Sequence, residues 1–167
     1  MNQITLTRII NDLSDDLSGL HWAVSGNAAV QIYTGSDIEV IDIDGVMDLK
    51  NYPEAALRLD TDVDTHIDSS GVKVFELEQV YRDVPVSFRT TNFEHELDLF
   101  DRVTYRRYND TDVPVVPPEY LLANLVQQDG RERDIKALRE QLDIDADYLR
   151  TCIRVLGVEA NLLGDMT

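Results

Sequence analysis

Cysteine is almost absent from this chain. The single residue Cys152 rules out an internal disulfide and leaves a cysteine-built zinc centre without ligands. Lysine is nearly as scarce: Lys50, Lys73 and Lys136 are three of the 15 cationic side chains, and the rest are arginine. No apolar run approaches the roughly 20 residues needed to cross a bilayer. The opening "MNQITLTRII" lacks the basic start and apolar centre of a secretory leader. A soluble cytoplasmic protein, with no membrane partner, is therefore the expectation. Walker A, GxGxxG and GxSxG motifs are missing, and Ser25, Ser87 and Cys152 have no adjacent base in sequence. His21, His66 and His95 are isolated, with no pair at metal-ligand spacing. Neither an internal repeat nor a low-complexity linker interrupts the 167 residues.

What the chain has in excess is acid. Asp and Glu total 32, giving a formal charge of -17, while 43% of residues are hydrophobic. That apolar share supplies a core, so the charge belongs to a folded domain rather than a disordered tail. At ordinary ionic strength the charge strains the compact state by self-repulsion. Molar salt shortens the Debye length to roughly 3 Å and screens most of it. Many aspartates, few lysines and a folded-looking apolar fraction resemble the proteins of extreme halophiles. In such a background a surface carboxylate is a solvating group first, so acidic clusters lose weight as evidence of metal binding.

The apolar spacing predicts a helix from Leu6 to Leu17, ending at Gly19, then a short strand at Leu20–Val24. "SGN" (Ser25–Asn27) breaks that strand and feeds a helix from Ala28 to Tyr33. A strand is expected from Ile38 to Asp44, and a helix at Tyr52–Leu59 entered near Pro53. "TDVDTHI" is ambiguous between loop and strand. Strands follow at Gly71–Leu77 and Asp83–Thr90, then a helix at Phe93–Val103. Three helical segments form the tail, opened by Pro117 and Pro118 and separated by Gly130 and "DIDAD". Strands after residue 70 have no helices between them, so the expected class is α+β with a mixed sheet rather than a doubly wound one.

Two features carry chemistry. A strand ending in Ser25-Gly26-Asn27 at a helix start offers close backbone approach, a hydroxyl and free N–H groups to an anion. An ordinary strand-to-helix turn capped by Ser or Asn has the same sequence. On a strand, Asp42 and Asp44 share a face. Such a pair suits Mg²⁺, which takes one or two carboxylates plus waters and phosphates. Gly45 suggests a calcium loop, but the EF-hand register puts Val40 and Asn51 at ligand positions, and that reading fails. "YRRY" (Tyr105–Tyr108) reads as a base-stacking surface or as a salt-bridging strand. Arg131 and Asp134 are spaced for a surface ion pair.

Taken together, "WAVSGNAAVQIYTGSDIEVIDIDG" resembles the polymerase-β-type nucleotidyltransferase superfamily, including its minimal and abortive-infection-type members. The tail "PPEYLLANLVQQDGRERDIKAL", with Arg131 and Asp134, is similar to theirs as well. The resemblance implies a nucleotidyltransferase-like mixed sheet flanked by helices: an α+β core over 1–113 and a C-terminal helical bundle over 114–167. It implies Mg²⁺-dependent transfer of a nucleoside monophosphate from a nucleoside triphosphate, in a defence or toxin–antitoxin setting. Asp42 and Asp44 would be the metal-holding, catalytic pair, and Ser25, Gly26 and Asn27 would bind the triphosphate. The acceptor, whether protein, RNA or small molecule, stays open, as does the oligomeric state. The third carboxylate of the pattern falls at Ser87, its Arg-x-Thr at Ile38 and Val40, and its helix lysine at Leu125. Those departures also fit a chain that has kept the fold as a binding or regulatory partner. A second register, "LRLDTDVDTH", puts the acidic pair at Asp62 and Asp64 with Arg58 and Asp60 before it.

Overall fold

The structure is a computed structural model that describes residues 3–158. Residues 159–167 of the expected helical segment, and the side chain of Ile4, lie outside the described residues. Helix α1 (Gln3–Asp16) puts Leu6, Ile9, Ile10 and Leu13, with Leu17 just past its end, on one buried side, as i, i+3, i+4 spacing dictates. β1 (Trp22–Val24) follows, then α2 (Gly26–Thr34) and β2 (Ile43–Met47). A single 3-10 turn leads into α3 (Tyr52–Leu59). β3 (Val63–Ile67), β4 (Lys73–Tyr81) and β5 (Val84–Thr90) form a meander. Short α4 (Asn92–Glu96) precedes the hairpin of β6 (Thr104–Tyr108) and β7 (Thr111–Val115). The chain then runs through α5 (Pro118–Leu125), α6 (Glu132–Gln141) and α7 (Ala146–Val155). β7 straddles residues 113 and 114, so the expected core and helical segment share a strand.

The seven strands form one mixed sheet in the order β3-β4-β5-β2-β1-β7-β6. β2 runs parallel to β5 and β1 parallel to β7; the other neighbours are antiparallel. The α+β class with a mixed sheet and flanking helices is thus the observed one. Two tight hairpins turn on Arg82-Asp83 and Asn109-Asp110, whose four residues all have positive φ, as two-residue hairpin turns of the primed type require. At the centre, Gly45 leaves room for Phe88: a Cβ there would meet its ring at 2.7 Å. Phe88 in turn packs edge-on against Trp22, with centroids 5.9 Å apart. This packing, not calcium binding, explains the glycine.

The strand expected at Ile38–Asp44 is shifted. Pairing begins only at Ile43, and residues 36–42 run as a connection after α2. The alternation of Ile38 and Val40 against Glu39 is real, with Val40 buried and Glu39 exposed, but the segment has no strand partners among the described residues. On one side β1 stops at Val24, where α2 begins. On the other, the register Ile43↔Val86 puts Pro85 beside Asp42, and proline has no N–H for a ladder. The helix expected at Phe93–Val103 is also shorter, closing at Glu96 before a 3-10 turn at Leu99–Asp101. The ambiguous "TDVDTHI" is edge strand β3. No helix among the described residues is long and apolar enough to cross a membrane.

Candidate functional site

β1 ends at Val24, and α2 starts immediately after it. Ser25 stands at the N-cap with extended backbone, yet its side chain makes no cap hydrogen bond. Its amide donates to the carbonyl of Asp44 at 2.8 Å, which locks the turn to β2. Gly26 then turns with φ +59°. A Cβ at Gly26 would lie 2.5 Å from Asp44 Oδ2 and 3.2 Å from its Cβ. The glycine is needed twice, for its left-handed backbone and for the carboxylate against it.

Asp42 and Asp44, Ser25, Gly26 and Asn27 therefore line one cleft, of about 550 Å³. Asp42 lies just before the strand rather than on it, but the two carboxylates still interact. Burial, and then the charge of Asp42, push the Asp44 carboxyl above the usual carboxylate range. Among the described residues no lysine or arginine forms an ion pair with either aspartate. Two adjacent carboxylates without a neutralising partner are the donor set a divalent cation fits.

The far wall comes from α5 and the start of α6, including Tyr120, Asn124, Leu125 and Arg131. Arg131 donates from Nη1 to Asn27 Oδ1 at 2.6 Å, and its Nε lies 2.9 Å from Asp134, with both side chains under a fifth exposed. The expected surface ion pair is thus mostly buried, and the hydrogen bond from its arginine to Asn27 clasps the start of α6 to the α2 turn. Among the described residues, Nη2 of Arg131 has no hydrogen-bond partner. Leu125, where the resemblance expected lysine, faces this cleft but brings no charge. Arg89 adds a second cation to the wall.

Ser87, where the resemblance expected a third acid, is in register with Asp44 on parallel neighbours β5 and β2. A carboxylate reaches it from elsewhere. Glu76 of β4 also lines the cleft, and the Ser87 hydroxyl donates to Glu76 Oε1 at 3.5 Å. Sequence reading missed Glu76, because only cross-strand pairing brings residue 76 beside residue 87. The same applies to His66, which sequence left isolated. Asp64, His66 and Glu76 present ligand atoms within 4.8 Å of one another, since Asp64 pairs with Glu76 across β3 and β4.

The remaining candidates stand apart from the turn. Asp62 and Asp64 sit by edge strand β3, with β4 and β5 between them and β2. His21 lies 3.7 Å from Asp48 and is mostly exposed. In "YRRY", Arg107 pairs with Asp112 at 3.3 Å and Arg106 lies over Tyr33, so the segment is a salt-bridging edge strand. Burial pushes the Cys152 thiol up to about 12, which removes it as a nucleophile.

The architecture has counterparts among solved structures. The crystal structure of "a putative nucleotidyltransferase (TM1012)" from Thermotoga maritima superposes with a TM-score of 0.61 at 18% identity, covering 84% of this chain and 94% of that one. The fold is nucleotidyltransferase-like. The antibiotic-resistance factor ANT(2″)-Ia, solved in solution, gives a TM-score of 0.57 at 10% identity, over 93% of this chain and 91% of its own. At these identities the likeness is one of fold. No family model matches the sequence, and no curated protein matches it. In this nucleotidyltransferase-like fold, the Ser25–Gly26 turn and the Asp42/Asp44 pair meet across the cleft.

Proposed function

We propose that the chain is a Mg²⁺-dependent nucleotidyltransferase that moves a nucleoside monophosphate from a nucleoside triphosphate to an acceptor hydroxyl. The observation that carries this reading is the apposition of Gly26 and Asp44, with no lysine or arginine among the described residues in an ion pair with the two carboxylates. Asp42 and Asp44 would hold the metal, which when bound would polarise the phosphoryl oxygens and neutralise developing charge. The Ser25 side chain makes no cap hydrogen bond, and the first amides of α2 offer a partial positive end to the triphosphate. Arg131, held by Asn27 and Asp134, brings fixed positive charge to the same wall. The chemistry is in-line attack on the α-phosphorus with pyrophosphate leaving, driven by positioning and electrostatics. A defence or toxin–antitoxin setting belongs to this reading, and work at high salt fits the formal charge of -17.

Ser87 beside Asp44 favours a second reading, in which the chain binds nucleotide but does not transfer it. Calorimetry of Mg²⁺-ATP, -GTP, -CTP and -UTP in molar KCl tests the site, with Asp42→Ala/Asp44→Ala as comparison. Binding by the wild type and at least tenfold weakening in the double variant are expected; equal affinity for both would remove these residues from the site. Pyrophosphate release by the wild type separates transfer from binding alone.

A further inference from the structure

We infer that Ser87 and Glu76 act together as the proton acceptor of this site, a hydroxyl–carboxylate relay standing where a single third acid would stand. This rests on the nucleotidyl-transfer reading above. Ser87 lies in register with Asp44 on the adjacent parallel strand, within a strand spacing of the metal-holding pair. Its hydroxyl hydrogen points to Glu76 Oε1 at 3.5 Å, so its oxygen lone pairs remain to accept from an attacking group. Glu76 is one strand further out, and its register partner is Arg89, with Glu78 facing Ser87. The Glu76–Ser87 contact is thus a diagonal one, on one face of an antiparallel pair and within reach of a long side chain. Both residues line the cleft, whereas Glu78 does not. No lysine or arginine among the described residues forms an ion pair with Glu76.

The step balances without further reagents. The acceptor hydroxyl, or water, forms a new O–P bond at the α-phosphorus as the bond from that phosphorus to the bridging oxygen breaks. Pyrophosphate leaves with the electron pair of the broken bond. The acceptor proton passes to Ser87 Oγ while the Ser87 proton passes to Glu76, so the serine is regenerated and the glutamate ends protonated.

Glu76 has a second set of neighbours, Asp64 and His66, and the test must separate them. Nucleotide binding and release of [³²P]pyrophosphate are measured with the four γ-³²P-labelled nucleoside triphosphates, Mg²⁺ and molar KCl, with water as the attacking group. Glu76→Gln is expected to slow release by about 10²–10⁴-fold, the usual weight of general base catalysis, with affinity for the nucleotide unchanged. Ser87→Ala is expected to do the same, and Ser87→Asp placed on Glu76→Gln to restore release. His66→Ala should leave release at the wild-type rate. Wild-type release from Glu76→Gln overturns the relay, and so does a loss in His66→Ala equal to that in Glu76→Gln, which would assign Glu76 to the cluster on β3. Nucleotide binding without any release by the wild type overturns the relay and leaves the binding site standing. Failure of the wild type to bind nucleotide overturns both.

Discussion

Replacing Gly26 by alanine asks one methyl group to do two things the site forbids. The backbone there has φ +59°, and the new Cβ would sit 2.5 Å from Asp44 Oδ2. A left-handed conformation costs an L-residue about 1–2 kcal/mol, and an extra methyl in a packed site typically costs about 1–3 kcal/mol. Together these make roughly 3 kcal/mol, or a fall of about 6–12 °C in melting temperature for a chain of this size. Relief requires the carboxylate to retreat by about 1 Å, a displacement that can cost a site about 100-fold in rate. Gly19→Ala is the control: its φ is +79° and nothing lies within 4 Å of the added atom, so only the conformational part remains. Asp44→Ala removes the 2.5 Å contact while leaving the one at 3.2 Å, so the double variant Gly26→Ala/Asp44→Ala should be less destabilised than the sum of the two single variants. Thermal melts and Mg²⁺-nucleotide calorimetry, both in molar KCl, read the two effects. If Gly26→Ala melts with Gly19→Ala and binds nucleotide like the wild type, the tight apposition of turn and carboxylate is refuted.

Asp44→Asn should raise the melting temperature of the metal-free protein at neutral pH while abolishing Mg²⁺-nucleotide binding. The Asp44 carboxyl is held above its unfolded value by burial and then by Asp42, so the stability linked to it is present at low pH and lost as pH rises through the folded value. The asparagine variant should therefore gain most above that value and nothing below the unfolded one, which melts across pH 3–8 would show. Arg131→Ala should cost about 1.5–3 kcal/mol in denaturant melts, because it strips a charged donor from Asn27 and leaves Asp134 unpaired; an unchanged midpoint would mean that α6 does not clasp the turn. With a formal charge of -17, the melting temperature should climb from 0.1 M to 2 M KCl as the Debye length shrinks, and a flat salt profile would contradict the halophile-like reading of the composition.

Local pattern was enough to announce most elements. The i, i+3, i+4 spacing from Leu6 to Leu17, the proline entering at Pro118 and the turn at Ser25-Gly26 are signals carried by near neighbours, and they mark α1, α5 and the start of α2. The same signals placed a glycine turn sixteen residues before an acidic pair. Alternation alone misjudged Ile38–Asp44, because a strand needs partners on its edges. Here β1 ends at Val24 and Pro85 stands beside Asp42, facts of register rather than of composition.

The sequence by itself thus determined the class of fold, the acidic character and the turn and acidic pair on which the proposed site is built, since each depends on residue type and short spacing. Only the tertiary structure decided that Gly26 lies against Asp44, that Arg131 reaches across to Asn27, and that Glu76 comes to Ser87. Residues 76 and 87 lie on different strands, and residues 27 and 131 on different helices. No local rule pairs them; the sheet register and the docking of α6 do, and beside Ser87, where the resemblance expected an acid, the strand next to it brings the carboxylate of Glu76.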